Sequence, residues 1–128
     1  MPDRPSPHLG LRHLALSVRA FAETKRFYTE VLGFHVEWEP DPDNVYLTSG
    51  TDNLALHRVG VDAVPGMALD HLGLVVRKAE DVDAWASYLE ECGVTLTASP
   101  KTHRDGARSL YLSDPDGNKI QILSLIHI

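Results

Sequence analysis

Apolar and polar residues alternate in two nine-residue stretches that are copies of each other, one from Leu11 to Arg19 and one from Leu69 to Arg77. Six of the nine positions are identical at an offset of 58 residues, His13 and His71 among them. Period two is the signature of a half-buried strand. It divides the faces: Leu14, Leu16 and Val18 point one way with Leu72, Leu74 and Val76, while His13, Ala15 and Ser17 point the other way with His71, Gly73 and Val75. Past the first stretch the period changes, and Phe21, Thr24, Phe27, Tyr28, Val31 and Leu32 predict a helix over 20–32 that stops at Gly33. Strands are predicted near 34–38, 45–49 and 54–59, broken by the turn residues Pro40 to Asn44 and Ser49 to Asn53.

Residues 60–68, which hold Pro65 and Gly66, separate this half from a second that repeats its order. Tyr28, Glu30 and Gly33 recur as Tyr88, Glu90 and Gly93 at an offset of 60. Val82, Trp85, Ala86, Leu89 and Cys92 form the apolar stripe of a second helix, and strands are expected near 94–98, 108–113 and 119–125. Pro100 to Ala107 reads as a loop, and Asp114 to Asn118 as a tight turn in which Gly117 can take positive φ. The fold class is α+β: a tandem duplication of β-α-β-β-β modules, 9–60 and 68–126, in one domain spanning 1–128, with the two histidines at equivalent places facing a cleft.

Composition narrows the function classes. Twelve basic against eighteen acidic side chains give a net charge of −6, and no Lys/Arg cluster is interleaved with aromatics, which argues against nucleic acid and anionic membrane as partners. The apolar runs are only strand-length, and the proline-rich start lacks the apolar core of a signal peptide, so a cytoplasmic protein is expected. The single Cys92 is expected to be buried on its helix stripe rather than nucleophilic. Trp38, Trp85, Phe27 and Tyr28 fit core positions, His8, His103 and His127 the surface, and the repeated Arg19 and Arg77 a shared structural role.

The paired His-bearing strands, the segment Phe27 to Phe34 (FYTEVLGF) and the segment Tyr111 to Leu123 (YLSDPDGNKIQIL) resemble the vicinal oxygen chelate superfamily over almost the whole chain. That superfamily includes glyoxalase I, bleomycin-resistance proteins, fosfomycin-resistance thiol transferases and extradiol dioxygenases. The resemblance implies an eight-stranded incomplete barrel around a cleft, a small-molecule ligand and a homodimer. It also implies metal ligands on the first and last strand of each half, which here are His13, His71, Ala55 and Gln121. Glu is usual at the last position, so Gln121 is a departure, and Ala55 supplies no donor. His57, two residues beyond Ala55 on the same face, is a candidate third nitrogen ligand for Zn²⁺, Ni²⁺, Fe²⁺ or Mn²⁺.

Lacking both carboxylates, the set has no metal-bound base for proton abstraction and no two-His-one-carboxylate triad. His35, Glu37, Arg108 and Tyr111 are candidate substrate-binding residues, and Arg104 to Tyr111 looks like the corresponding loop and strand of the thiol transferases. Three readings stay open: a divalent-metal-dependent enzyme, whether lyase, transferase or dioxygenase, acting on a small oxygen-rich molecule; a metal-free binding protein of the bleomycin-resistance kind; and an interaction dimer with a vestigial site.

Overall fold

The computed structural model describes residues 2–3, 11–63, 69, 71–103 and 106–124. Strand β1 (His13–Val18) leads into helix α1 (Phe21–Arg26), whose end widens into a π-helical turn over Phe27–Val31. Strands β2 (His35–Asp41), β3 (Asn44–Thr48) and β4 (Asn53–Arg58) complete the first module. The second repeats the order with β5 (Leu72–Val76), α2 (Ala79–Glu91), β6 (Leu96–Thr102), β7 (Arg108–Ser113) and β8 (Lys119–Ser124). The predicted positions 8, 104 and 127, and the outer ends of the two module ranges, lie outside the described residues.

The eight strands form two mixed sheets in the same order, β1-β4-β3-β2 and β5-β8-β7-β6, and no closed barrel. In each, the first and last strands run parallel and the other pairs antiparallel, as the duplication requires. Alternation delivers the expected faces. Leu16, Val18, Leu54, Leu56, Val45 and Leu47 are buried with Leu110, Leu112, Ile120 and Ile122 in one apolar cluster that also takes in Val82, Ala86 and Leu89 of α2. His13, Ala15 and Ser17 face outward, as do His71, Gly73 and Val75.

Four sequence expectations fail for identifiable reasons. Strands β2 and β6 run on through Pro40 and Pro100, because both are edge strands and each proline falls within a register shift, Trp38 to Asp41 in one and Ala98 to Lys101 in the other, where regular pairing is interrupted. Trp38 leaves the core. A bulge between Val36, opposite Leu47, and Trp38, opposite Tyr46, moves the indole to the outward face of the sheet, where it is 59% exposed. Cys92 is exposed, since the buried positions Val82, Ala86 and Leu89 continue at 93 rather than 92. The spacing also predicts one regular helix over 20–32. Thr29 Oγ1 instead bonds back to the Lys25 carbonyl at 2.9 Å within the π-helical turn, and Gly33, at φ 84°, reverses the chain into β2.

The turn between β7 and β8 ties the modules together. Asp114 accepts hydrogen bonds from the backbone of Asp116 and Asn118, both at 2.9 Å, and Gly117 takes the predicted positive φ of 90°. Across the module boundary Tyr28 donates to Asp114, and Asp116 Oδ1 accepts the amides of Arg19 and Ala20 at 2.9 and 2.8 Å, where β1 passes into α1. Asp116 thereby receives the donors that lead into the helix, a capping arrangement supplied from the other module.

Candidate functional site

A pocket of about 290 Å³ opens at the seam between the modules. His13 and His71 both line it, with Arg12, Asn53, Phe34, Leu54, Leu72 and Gly73 around them. The duplicated strands β1 and β5 thus bring their equivalent outward positions to one concavity, the placement that the alternation predicted.

His13 is held by a relay. Asn53, its partner across the parallel β1–β4 ladder, places Oδ1 2.7 Å from His13 Nδ1, while Asn53 Nδ2 donates to Glu37 Oε2 at 3.1 Å. A carboxylate only accepts, so the amide is oriented with its oxygen toward the imidazole, and His13 must donate from Nδ1. In the neutral ring this leaves the lone pair on Nε2, the arrangement that ligating histidines adopt when a neighbour fixes their tautomer.

On the second sheet, the rings of His71 and Tyr111 meet edge-on with centroids 5.8 Å apart. Tyr111 pairs with Gln121, and Gln121 also lies beside Gly73, two residues on from His71. His71, Tyr111 and Gln121 therefore form one contiguous outward patch. In the first module the place of Gln121 is taken by Ala55, which lies beside Ala15.

His57 does not join His13. The parallel register sets His13 beside Asn53 and His57 beside Ser17, four residues further along, a separation of about 13 Å at about 3.3 Å per residue. Two ligands of one ion cannot span that distance. Instead His57 Nδ1 lies 2.6 Å from Asn44 Oδ1, and Asn44 Nδ2 donates to both oxygens of Asp41 at 2.9 and 3.1 Å.

Arg108 also points elsewhere. Its guanidinium forks onto Asp83 of α2, with Nε and Nη2 at 3.0 and 2.8 Å from the two carboxylate oxygens, and reaches Thr102 through Nη1. That hydrogen-bonded pairing holds the Asp83 carboxyl below its usual value. His35 is exposed at the start of β2, opposite Thr48. His103, expected at the surface, is exposed there and bonds the buried Ser109 hydroxyl at 2.5 Å.

Sequence reasoning missed Asn53, Asn44 and Trp38. The two asparagines carry a signal in hindsight, since each stands opposite an outward histidine, but pairing across strands is not written in local spacing. Among the described residues no three His, Cys, Asp or Glu side chains converge as a metal-holding cluster. Of the predicted donors, the His13 and His71 imidazoles line the pocket and the Gln121 amide lies on the adjoining outward patch, while Asp52, the carboxylate in the lining, accepts from Thr48 and Ser49. Two imidazoles with a neutral oxygen nearby suit a borderline cation that accepts nitrogen ligands.

Comparison with known proteins agrees with this geometry at the level of fold. The family model for the glyoxalase/bleomycin resistance protein/dioxygenase superfamily matches residues 10–122. The chain is 32% identical over 117 residues to glutathione transferase FosA of Serratia marcescens, covering 88% of this chain and 79% of that protein. It is 30% identical over 120 residues to 2,2',3-trihydroxybiphenyl dioxygenase of Sphingomonas paucimobilis, of which it spans 40%. Among solved structures, lactoylglutathione lyase from Agrobacterium tumefaciens superposes with a TM-score of 0.79 at 19% identity, covering 93% of this chain and 96% of that one. An integron cassette protein from the mobile metagenome of the Halifax Harbour sewage outfall also gives 0.79, at 25% identity over 92% of this chain and all of that one.

Proposed function

The chain belongs to the glyoxalase/bleomycin resistance protein/dioxygenase superfamily, and from that premise we propose that it is a divalent-metal-dependent enzyme acting on a small oxygen-rich molecule. His13 and His71 are the principal ligands in this reading, and the Gln121 amide oxygen is a neutral third donor. The observation that carries it is the relay through Asn53, which presents His13 Nε2 as a free lone pair at the edge of a pocket that His71 also lines. When bound, the cation would supply Lewis-acid polarisation of a substrate oxygen. His57 is left out of this ligand set because of its register.

The residues favour some chemistries over others. Ala55 and Gln121, which lie beside Ala15 and Gly73 two residues on from the histidines, provide no base, which disfavours proton abstraction next to a carbonyl. The FosA relative points toward thiol transfer. Arg108, the cation offered by sequence for holding an anionic substrate, is committed to Asp83. Neutral ligands leave the full charge of a divalent ion uncompensated, so an anionic oxygen of the substrate is the favoured occupant of the open position. The same lack of carboxylates supports a second reading, a metal-free small-molecule binder.

Calorimetric titration of Zn²⁺, Ni²⁺ and Mn²⁺ separates the two. Wild type is expected to bind at least one of these ions, His13→Ala to lose that binding, and Gln121→Glu to bind more tightly through a charged oxygen donor. If wild type and His13→Ala behave alike with every ion, the metal reading fails and the binder is the better account.

A further inference from the structure

Helix α2 buries Val82, Ala86 and Leu89 and carries an aromatic corner on its flank. Trp85 is half-buried against the core, Tyr88 is 40% exposed, and their rings meet edge-on with centroids 5.3 Å apart and planes 88° from parallel. The Tyr88 hydroxyl donates to the Val31 carbonyl of the first module at 2.8 Å, which fixes that ring across the module seam. Together with Ala84, whose methyl group leaves the space open, the two rings wall a shallow apolar hollow of about 310 Å³. The first module has no such corner. At the offset of 60 that carries Tyr28 to Tyr88, Lys25 stands in place of Trp85, and Tyr28 is fully buried.

The charge along this helix has one sign. α2 carries Glu80, Asp81, Asp83, Glu90 and Glu91 and neither Lys nor Arg, since Arg77 and Lys78 come before it. Asp83 is taken by Arg108 on the other flank, about 200° around the helix from Trp85 at about 100° per residue. Asp81 stands four residues before Trp85, and Glu91 three after Tyr88. Those spacings bring side chains to one helix face, so a carboxylate brackets each end of the hollow.

We propose that Trp85 and Tyr88 form a binding site for a quaternary or alkylated ammonium cation on the outer flank of α2. Two ring planes at right angles make a corner in which one positive centre lies against both rings, whose faces are electron-rich. Alkyl groups on the nitrogen suit the apolar hollow, whereas a bare ammonium would have to shed its water to enter, and Asp81 and Glu91 supply the opposing charge. The Trp38 and Tyr46 rings offer no such corner, since their planes lie 22° from parallel. The site shares no lining residue with the His13/His71 pocket, so it stands or falls independently of the metal reading.

The test uses choline and 3,3-dimethyl-1-butanol, which has the same shape with carbon in place of the charged nitrogen, followed by NMR of the Trp85 indole N–H with Trp38 as internal control. A saturable shift at Trp85 and none at Trp38 is expected with choline. The neutral alcohol should bind about tenfold more weakly, the factor a cation held against aromatic rings supplies. In variants, saturation transfer to the choline methyl protons reads binding and a thermal melt checks the fold. Trp85→Leu should lose the transfer, and so should Tyr88→Leu, which alters a more exposed position. Equal affinity for the two probes overturns the proposal, because it reduces the corner to an apolar contact. So do a choline shift that never saturates, an equal shift at Trp38, and transfer that survives in a folded Tyr88→Leu. A Trp85 resonance that moves with protein concentration and with neither probe also overturns it, and assigns the flank to contact between copies of the chain.

Discussion

The hydroxyl of Tyr28, at the end of the first module's helix, donates to the buried Asp114 carboxylate of the second module's turn at 2.9 Å. The tyrosine ring is fully buried against Phe27 and Phe34, which meet it edge-on on either side. The bond therefore joins the two modules at a point that water does not reach. Tyr28→Phe keeps the ring and removes one of the donors on a buried carboxylate. A loss of about 2 kcal/mol is expected, in the range for hydrogen bonds to charged groups, seen as a lower urea midpoint at unchanged slope.

The same pair makes stability fall in alkali. Burial first, and the neighbouring Asp114 charge second, push the Tyr28 hydroxyl well above its usual value of 10.0. A group whose value is raised in the folded state contributes stability that is complete below the unfolded value and lost as pH climbs toward the folded one. Urea midpoints should hold up to about pH 10 and then decline in the wild type. The decline should be shallower in Tyr28→Phe, which has no proton to lose there.

Much of this arrangement is legible in the chain because it depends on local period. The copied strands around His13 and His71 announce the duplication and fix which side chains face the pocket, and Gly33 and Gly117 mark the turns. What is not legible arises between strands. One bulge moves Trp38 from the core face to the outward face, a change that no count along β2 reveals. The separation of His57 from His13 follows from parallel pairing of β1 with β4, whereas simple alternation makes them look like neighbours on one surface. Arg108 is similar, since its partner Asp83 comes from a helix 25 residues earlier.

Arg108 provides a contrast to the pocket residues. Because its guanidinium forks onto Asp83 and reaches Thr102, its work is to tie β7 to α2. Arg108→Ala should lower the melting temperature slightly, as expected for a partly exposed ion pair, and leave metal binding by the His13/His71 pocket unchanged. A calorimetric titration in which Arg108→Ala loses metal binding would show that this side chain reaches the pocket.

A homodimer is expected in solution. Among the described residues both sheets end in strands with an unpaired edge, β1 and β2 in one and β5 and β6 in the other, and Val36 and Val75 lie exposed near those edges. Edges of this kind are commonly covered by pairing, and a twofold partner is the simplest cover for a chain of this size. Sedimentation velocity at micromolar concentration should give twice the chain mass of 14.2 kDa. A single species at the monomer mass would mean that the edges are stable in water as they stand.

The relay behind His13 makes the sharpest prediction about the pocket. Asn53 is the only described side chain hydrogen-bonded both to that imidazole and to Glu37, so it transmits the carboxylate's preference for a donor into the choice of tautomer. Without it the His13 ring is free to rotate and to place its proton on either nitrogen. Partners of this kind typically change metal affinity by about 10- to 100-fold when removed, and a loss in that range is expected for Asn53→Ala. Glu37→Gln should have a smaller effect, because an amide in that place can still accept from Asn53 Nδ2 through its oxygen. Folding should be little altered in either variant, since the relay is exposed. Titration of Zn²⁺ or Ni²⁺ into the two variants and wild type checks the order: wild type tightest, Glu37→Gln intermediate, Asn53→Ala weakest. If Asn53→Ala binds as wild type does, His13 is oriented by something other than this chain of hydrogen bonds.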